Sequence, residues 1–70
     1  MKIDIAKPEG HTLSALGIAT RFLEKTGAKK AYIDDLARSV FKANSAVEAR
    51  RIIEERTGGA VTFYDSRHGG

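Results

Sequence analysis

The chain opens on an alternation. In "MKIDI", Met1, Ile3 and Ile5 fall on one face and Lys2 and Asp4 on the other. A period of two marks a half-buried strand, because successive side chains of extended backbone point to opposite faces. "AKPEG" breaks the pattern: Pro8 lacks a backbone donor and Gly10 permits a turn. From His11 or Thr12 the period lengthens. Leu13, Leu16, Ala19 and Leu23 recur at helical spacing, and Ile18 and Phe22 widen the stripe. Lys25 suits the last turn and Gly27 the position just past the end. Gly17 inside this helix costs about 1 kcal/mol relative to alanine, and a residue that small lets another backbone come close.

A second helix is predicted from Ala31 to Phe41, with Ile33, Leu36, Ala37 and Val40 as its apolar stripe. Asp34 and Asp35 read as first-turn charges that complement the helix dipole. "KAN" interrupts the pattern, and "SAVE" is a capping box in which Ser45 accepts from the Glu48 amide while Glu48 reaches back. The third helix runs to Arg56. Val47, Ala49, Ile52 and Ile53 face inward, and Arg50, Arg51, Glu54, Glu55 and Arg56 face out. "TGG" stops it. "AVTFY" is a second strand with Val61 and Phe63 on one face, and "DSRHGG" is a polar end.

These elements describe a single α+β domain over residues 1–64, in the order β-α-α-α-β, with two short terminal strands that can pair and a flexible tail over 65–70. The predicted core is Ile3, Ile5, Leu13, Leu16, Leu23, Leu36, Val40, Ile52, Ile53, Val61 and Phe63. A two-stranded ribbon has two open edges and is weak alone. Seventy residues bury only a modest core. The chain has no cysteine, which excludes disulfides and thiolate metal sites, and its two histidines, His11 and His68, do not form a ligand spacing. No metal and no cofactor are therefore expected. The remaining source of extra stability is a partner chain, so a homo-oligomer, dimer or higher, is expected, with strand pairing as one route.

Charge adds a mild bias. Twelve basic residues face nine acidic ones, a formal +3, which suits an anionic partner. No apolar run approaches the roughly 20 residues of a membrane span, and "MKIDIAKPEG" has no apolar leader segment. A cytoplasmic protein with no membrane partner is expected.

Candidate chemistry is sparse. "KPEGHT" lacks the second glycine and the lysine of a phosphate loop, and it is no dinucleotide fingerprint. It reads as strand, turn and helix start, with Thr12 or Glu9 capping open amides. The other reading is an anion site at those amides with His11 beside them. Ser14, Ser39, Ser45 and Ser66 have no histidine and acid at triad-like spacing, and Asp34 and Asp35 point in different directions. No catalytic residue is expected, and the chain is not read as an enzyme.

The candidates for anion or partner binding are His11, Thr12, Lys29, Lys30, Arg50, Arg51 and Arg67. They are either a solvated surface, with Glu48, Glu54 and Glu55 interleaved, or contacts to phosphates. "IDDLARSVFKANSAVEARRII" invites comparison with a helix-turn-helix, with Ala37 at the small position and Val47 at the apolar one. Phe41, however, stands where glycine is usual in the turn. The ending "RHGG" resembles ubiquitin-like carriers in two residues only, and a helix directly after the first strand does not fit their fold.

The opening "MKIDIAKPEGHTLSALGIATRF" and the ending "EERTGGAVTFYD" resemble small uncharacterised phage and prophage proteins. These begin with a Lys-Ile-Asp strand, a Pro-(Asp/Glu)-Gly-Asn turn and an apolar helix with a central glycine. They end in an acidic helix, a glycine and a strand. His11 stands here in place of the asparagine. The resemblance implies a viral or mobile-element setting and an accessory role, with no activity or site residue attached. The reading that results is a small non-enzymatic binding protein, phage- or prophage-derived. It acts as a homo-oligomer by stoichiometric contact with a host protein, a nucleic acid or a nucleotide. The alternative is a DNA-binding regulator that uses helix three.

Overall fold

Two glycines set where helices stop. Gly27 (φ +83°) and Gly58 (φ +63°) adopt the left-handed backbone that side chains resist. After each, the amides fold back in the same way. Gly27 and Ala28 donate to the Glu24 and Leu23 carbonyls, and Gly58 and Gly59 donate to Glu55 and Glu54. Both helix ends are thus closed by paired backbone bonds, as "TGA" and "TGG" predict.

The computed structural model describes residues 1–7 and 11–68. In it the chain forms β1 (Lys2–Asp4), α1 (Thr12–Lys25), α2 (Lys30–Lys42), α3 (Ala46–Arg56) and β2 (Thr62–Tyr64), followed by a 3-10 turn over Ser66–His68. This is the expected β-α-α-α-β order of an α+β domain. β1 and β2 pair in parallel, with Lys2 opposite Thr62, Ile3 opposite Phe63 and Asp4 opposite Tyr64. The expected Pro8–Gly10 turn and the Glu9 cap lie outside the described residues, as do Gly69 and Gly70 at the end of the predicted tail. Within that tail, the Ser66 amide donates to Asp4 Oδ1 at 3.3 Å.

Parallel strands oblige the helices between them to carry the chain back. α1 does so, since Met1 shares a groove with Ile18, Arg21, Phe22 and Lys25 on the C-terminal half of α1. α2 reverses direction, because Tyr32 at its start reaches Arg56 at the end of α3. One end of the domain therefore gathers the starts of the strands, the ends of α1 and α3, and the start of α2. The opposite end gathers the strand ends, the starts of α1 and α3, and the end of α2.

The core is Ile3, Ala15, Leu16, Ala19, Leu23, Leu36, Val40, Ala49, Ile53 and Val61, with Ile52, Phe63 and others packed half-buried against it. Nine of the eleven predicted core residues are buried or pack in this shell, and Ile5 is half-buried. Two inward assignments fail. Leu13 and Val47 are exposed. The fully buried Ala15 and Ala19 set the contact line of α1, and Leu13 lies two residues, about 200°, from Ala15. Val47 is displaced from Ala49 in the same way.

Other local readings also shift. α2 begins at Lys30, so Asp34 and Asp35 fall beyond its first turn. Ser45 Oγ accepts from the Glu48 amide at 3.1 Å as expected, but Glu48 Oε2 accepts from Asn44 rather than from Ser45. Thr12 is the first residue of α1 and does not cap it. His11 holds the cap position and makes no side-chain cap bond.

Asp4, expected on the solvent face of β1, is 3 % exposed. Its Oδ1 accepts from the Ala6 amide at 2.9 Å as well as from Ser66. The Ala6 bond is a side-chain turn that leads the chain out of β1. These bonds, the Ala6 amide first, hold the Asp4 carboxyl below the ordinary aspartate range.

Nor does the ribbon have two open edges. The Thr62 amide donates to Met1 and the Ile5 amide to Tyr64, so Thr62 and Tyr64 face β1 and the Phe63 backbone faces away. That outward amide donates to Glu54 Oε1 at 3.2 Å, and the Val61 amide donates to Thr57 Oγ1 at 3.2 Å. Two side chains of α3 and its cap close the β2 edge. On β1, the Asp4 carbonyl accepts from the Lys7 amide at 3.1 Å.

Candidate functional site

The antiparallel course of α1 and α2 divides the seven sequence candidates. His11 and Thr12 open α1, Arg50 and Arg51 lie in α3, and Arg67 follows β2. Lys29 and Lys30 open α2 at the opposite end of the domain. No single basic patch holds all seven.

Their individual environments differ as well. His11 is exposed and Thr12 half-buried, and among the described residues of "KPEGHT" no side-chain cap bond accompanies the open amides of α1. Arg67 is committed within the chain. Its Nε and one terminal nitrogen hold the two oxygens of Asp65, each at 3.0 Å, and this pairing raises its basicity further. Arg51 is exposed on the outer face of α3, in a shallow groove of about 440 Å³ with Ser45, Val47, Glu48, Ile52 and Glu55. A phosphate there would meet two carboxylates around one guanidinium, and the exposed Val47 is not the packed apolar residue that a helix-turn-helix requires. Arg50 is half-buried. Lys29 caps α2 without a side-chain bond, and Lys30 borders a groove between α1 and α2.

Two arrangements were not read from the spacing. The first joins α2 to α3. Arg56 pairs with Asp35 at 2.7 Å, its guanidinium lies 5.6 Å from the centre of the Tyr32 ring, and the Tyr32 hydroxyl donates to the Arg56 carbonyl at 2.5 Å. Tyr32 and Asp35 stand three residues apart, hence on one side of α2, and this was the available signal. The cluster staples two helices and presents no group aimed at a ligand.

The second is apolar. Leu13, Phe41 and Val47 are 65 %, 69 % and 59 % exposed. Leu13 starts α1, Phe41 ends α2 and Val47 starts α3. All three stand at the same end of the domain. The spacing places Leu13 in the core, Val47 on the inward side of the third helix and Phe41 at the end of the second, so it singles out none of them for binding.

Among the described residues, no group of three or more His, Asp or Glu is placed to hold a metal ion, and no helix is long and apolar enough to cross a membrane. No family model, curated protein or solved structure matches this chain. The functional reading therefore rests on the surface itself.

Proposed function

We propose that this chain is a small non-enzymatic binding protein that acts as a homo-oligomer, through stoichiometric contact with other protein surfaces. The observation that carries this reading is the exposure of Leu13, Phe41 and Val47 at one end of the three helices. Covering a large apolar side chain is worth about 1.5–3 kcal/mol, a gain the isolated chain forgoes at three positions. Their gathering at one end of so small a domain is the feature on which a site of association is proposed. The accessory role implied by the resemblance to phage and prophage proteins is in keeping with it. The mixed charge of the α3 face favours a protein surface over a DNA backbone.

Sedimentation of the chain over a micromolar concentration series tests the reading. The expected result is a species heavier than one chain of 7.6 kDa. A single chain at every concentration would overturn it. A steep loss of random-DNA binding with salt, in a mobility-shift series, would move the assignment to the DNA-binding alternative.

A further inference from the structure

The face formed by α1 and α2 carries a socket at one end and a pair of exposed apolar side chains at the other. The socket, about 420 Å³, is lined by Thr20, Glu24, Ala28, Lys30, Ile33 and Asp34. Along α1, Leu13, Gly17, Thr20 and Glu24 recur at i, i+4, i+7 and i+11, which is one line on a helix. Along α2, Lys30, Asp34 and Phe41 form the facing line at i, i+4 and i+11. The two helices are antiparallel, so a groove that begins in the socket ends at Leu13 and Phe41.

Gly17 stands between the two ends. Its backbone is ordinary helix, and a Cβ built there would meet nothing within 4 Å. The helix loses about 1 kcal/mol relative to alanine, yet no segment of the same chain uses the space. Charge is distributed along the same face. Glu24 and Asp34 border the socket with Lys30, leaving the acids in excess, and Arg38 lies toward the Phe41 end. Among the described residues, Glu24, Asp34 and Arg38 form no ion pair.

We infer that a second copy of this chain docks on this groove about a two-fold axis near Gly17. Leu13 and Phe41 of each copy seat in the socket of the other, and Arg38 of each faces Asp34 of the other. This deepens the proposed function and rests on its reading of the chain as a homo-oligomer. The charges select the antiparallel arrangement. Like ends laid together would set Arg38 against Arg38 and acid against acid, whereas reversed ends set base against acid. Two-fold symmetry makes each knob-in-socket contact occur twice and closes the assembly at two chains. Gly17 at the crossing lets the two α1 backbones approach.

The test is sedimentation velocity of the full chain over a micromolar series, with wild type, the double variant Leu13→Glu/Phe41→Glu, the single variants Asp34→Arg and Arg38→Asp, and the double charge swap Asp34→Arg/Arg38→Asp. A two-chain species is expected for wild type. The apolar double variant should weaken association about tenfold or more. Each single charge reversal should weaken it, and the double swap should restore it. Because all four positions are exposed, thermal melts at concentrations where only single chains are present should be preserved. Wild-type dimers unaffected by any variant would overturn the groove and leave the oligomer reading standing. Failure of the double swap to restore association would overturn the antiparallel arrangement, and an open-ended series of larger species would overturn the two-fold. Single chains alone in the wild type would overturn both this inference and the reading beneath it.

Discussion

Glu54, in the last turns of α3, accepts the outward backbone amide of Phe63 on β2 at 3.2 Å. A side chain from the helix thus takes the place of a missing third strand. Replacing Glu54 by alanine leaves a half-buried amide without its partner, at a cost of about 1–3 kcal/mol. Gln keeps an acceptor oxygen and should lose much less. Urea denaturation of Glu54→Ala and Glu54→Gln side by side checks this. Equal losses would show that the carboxylate charge, rather than the accepted bond, is what matters.

Ile53 is fully buried, whereas Leu13 is mostly exposed. Ile53→Ala should destabilise the chain by about 2–5 kcal/mol, a large part of what so small a domain has. Leu13→Ala, measured where only single chains are present, should stay within about 0.5 kcal/mol. Thermal melts followed by circular dichroism distinguish the two. A large loss for Leu13→Ala would place α1 in a different rotation about its axis.

Gly17→Ala, measured where only single chains are present, should raise stability by roughly 0.5–1 kcal/mol, since the added Cβ enters space that is open in the single chain. The same melts report it. A loss instead would mean that this space is filled in the folded chain.

Asp4 predicts a pH dependence. Its carboxyl is held below the ordinary value of 3.8, chiefly by the Ala6 amide and then by Ser66. A carboxylate whose folded pKa is depressed contributes stability above its unfolded pKa and loses that contribution as pH falls through the folded value. The gap in urea midpoint between wild type and Asp4→Asn should therefore be widest at neutral pH and shrink in acid below the ordinary aspartate value. A gap that does not change with pH would remove the carboxylate from the account.

The Tyr32–Arg56–Asp35 cluster should behave as a surface staple. Tyr32→Phe removes one hydroxyl bond to a carbonyl and should cost about 0.5–1.5 kcal/mol. Asp35→Asn, which breaks a largely exposed pair, should cost about 1 kcal/mol or less and less still in high salt. Denaturation midpoints with and without added salt measure both. A salt-independent loss for Asp35→Asn would argue against an ionic contribution.

Element type and order were legible because they depend on events a few residues apart. The period of two in "MKIDI", the helical stripes, Gly27 and Gly58 past their helices, and Ser45 before Glu48 all act over short stretches of backbone. Each stands where its spacing places it. Rotation about a helix axis is another matter. Leu13 reads as core because it lies three residues before Leu16, but the side from which α2 and α3 pack is the one that the fully buried Ala15 and Ala19 present. Asp4 reads as a surface charge because one of the amides its carboxylate accepts from, Ser66, lies 62 residues further along. The β2 edge reads as open because its acceptor, Glu54, belongs to a different element. The basic candidates read as one set until α1 carries the chain to the far end, where Lys29 and Lys30 open α2. In each case the deciding contact joins residues that spacing along one element does not relate, and only packing of the whole chain brings them together.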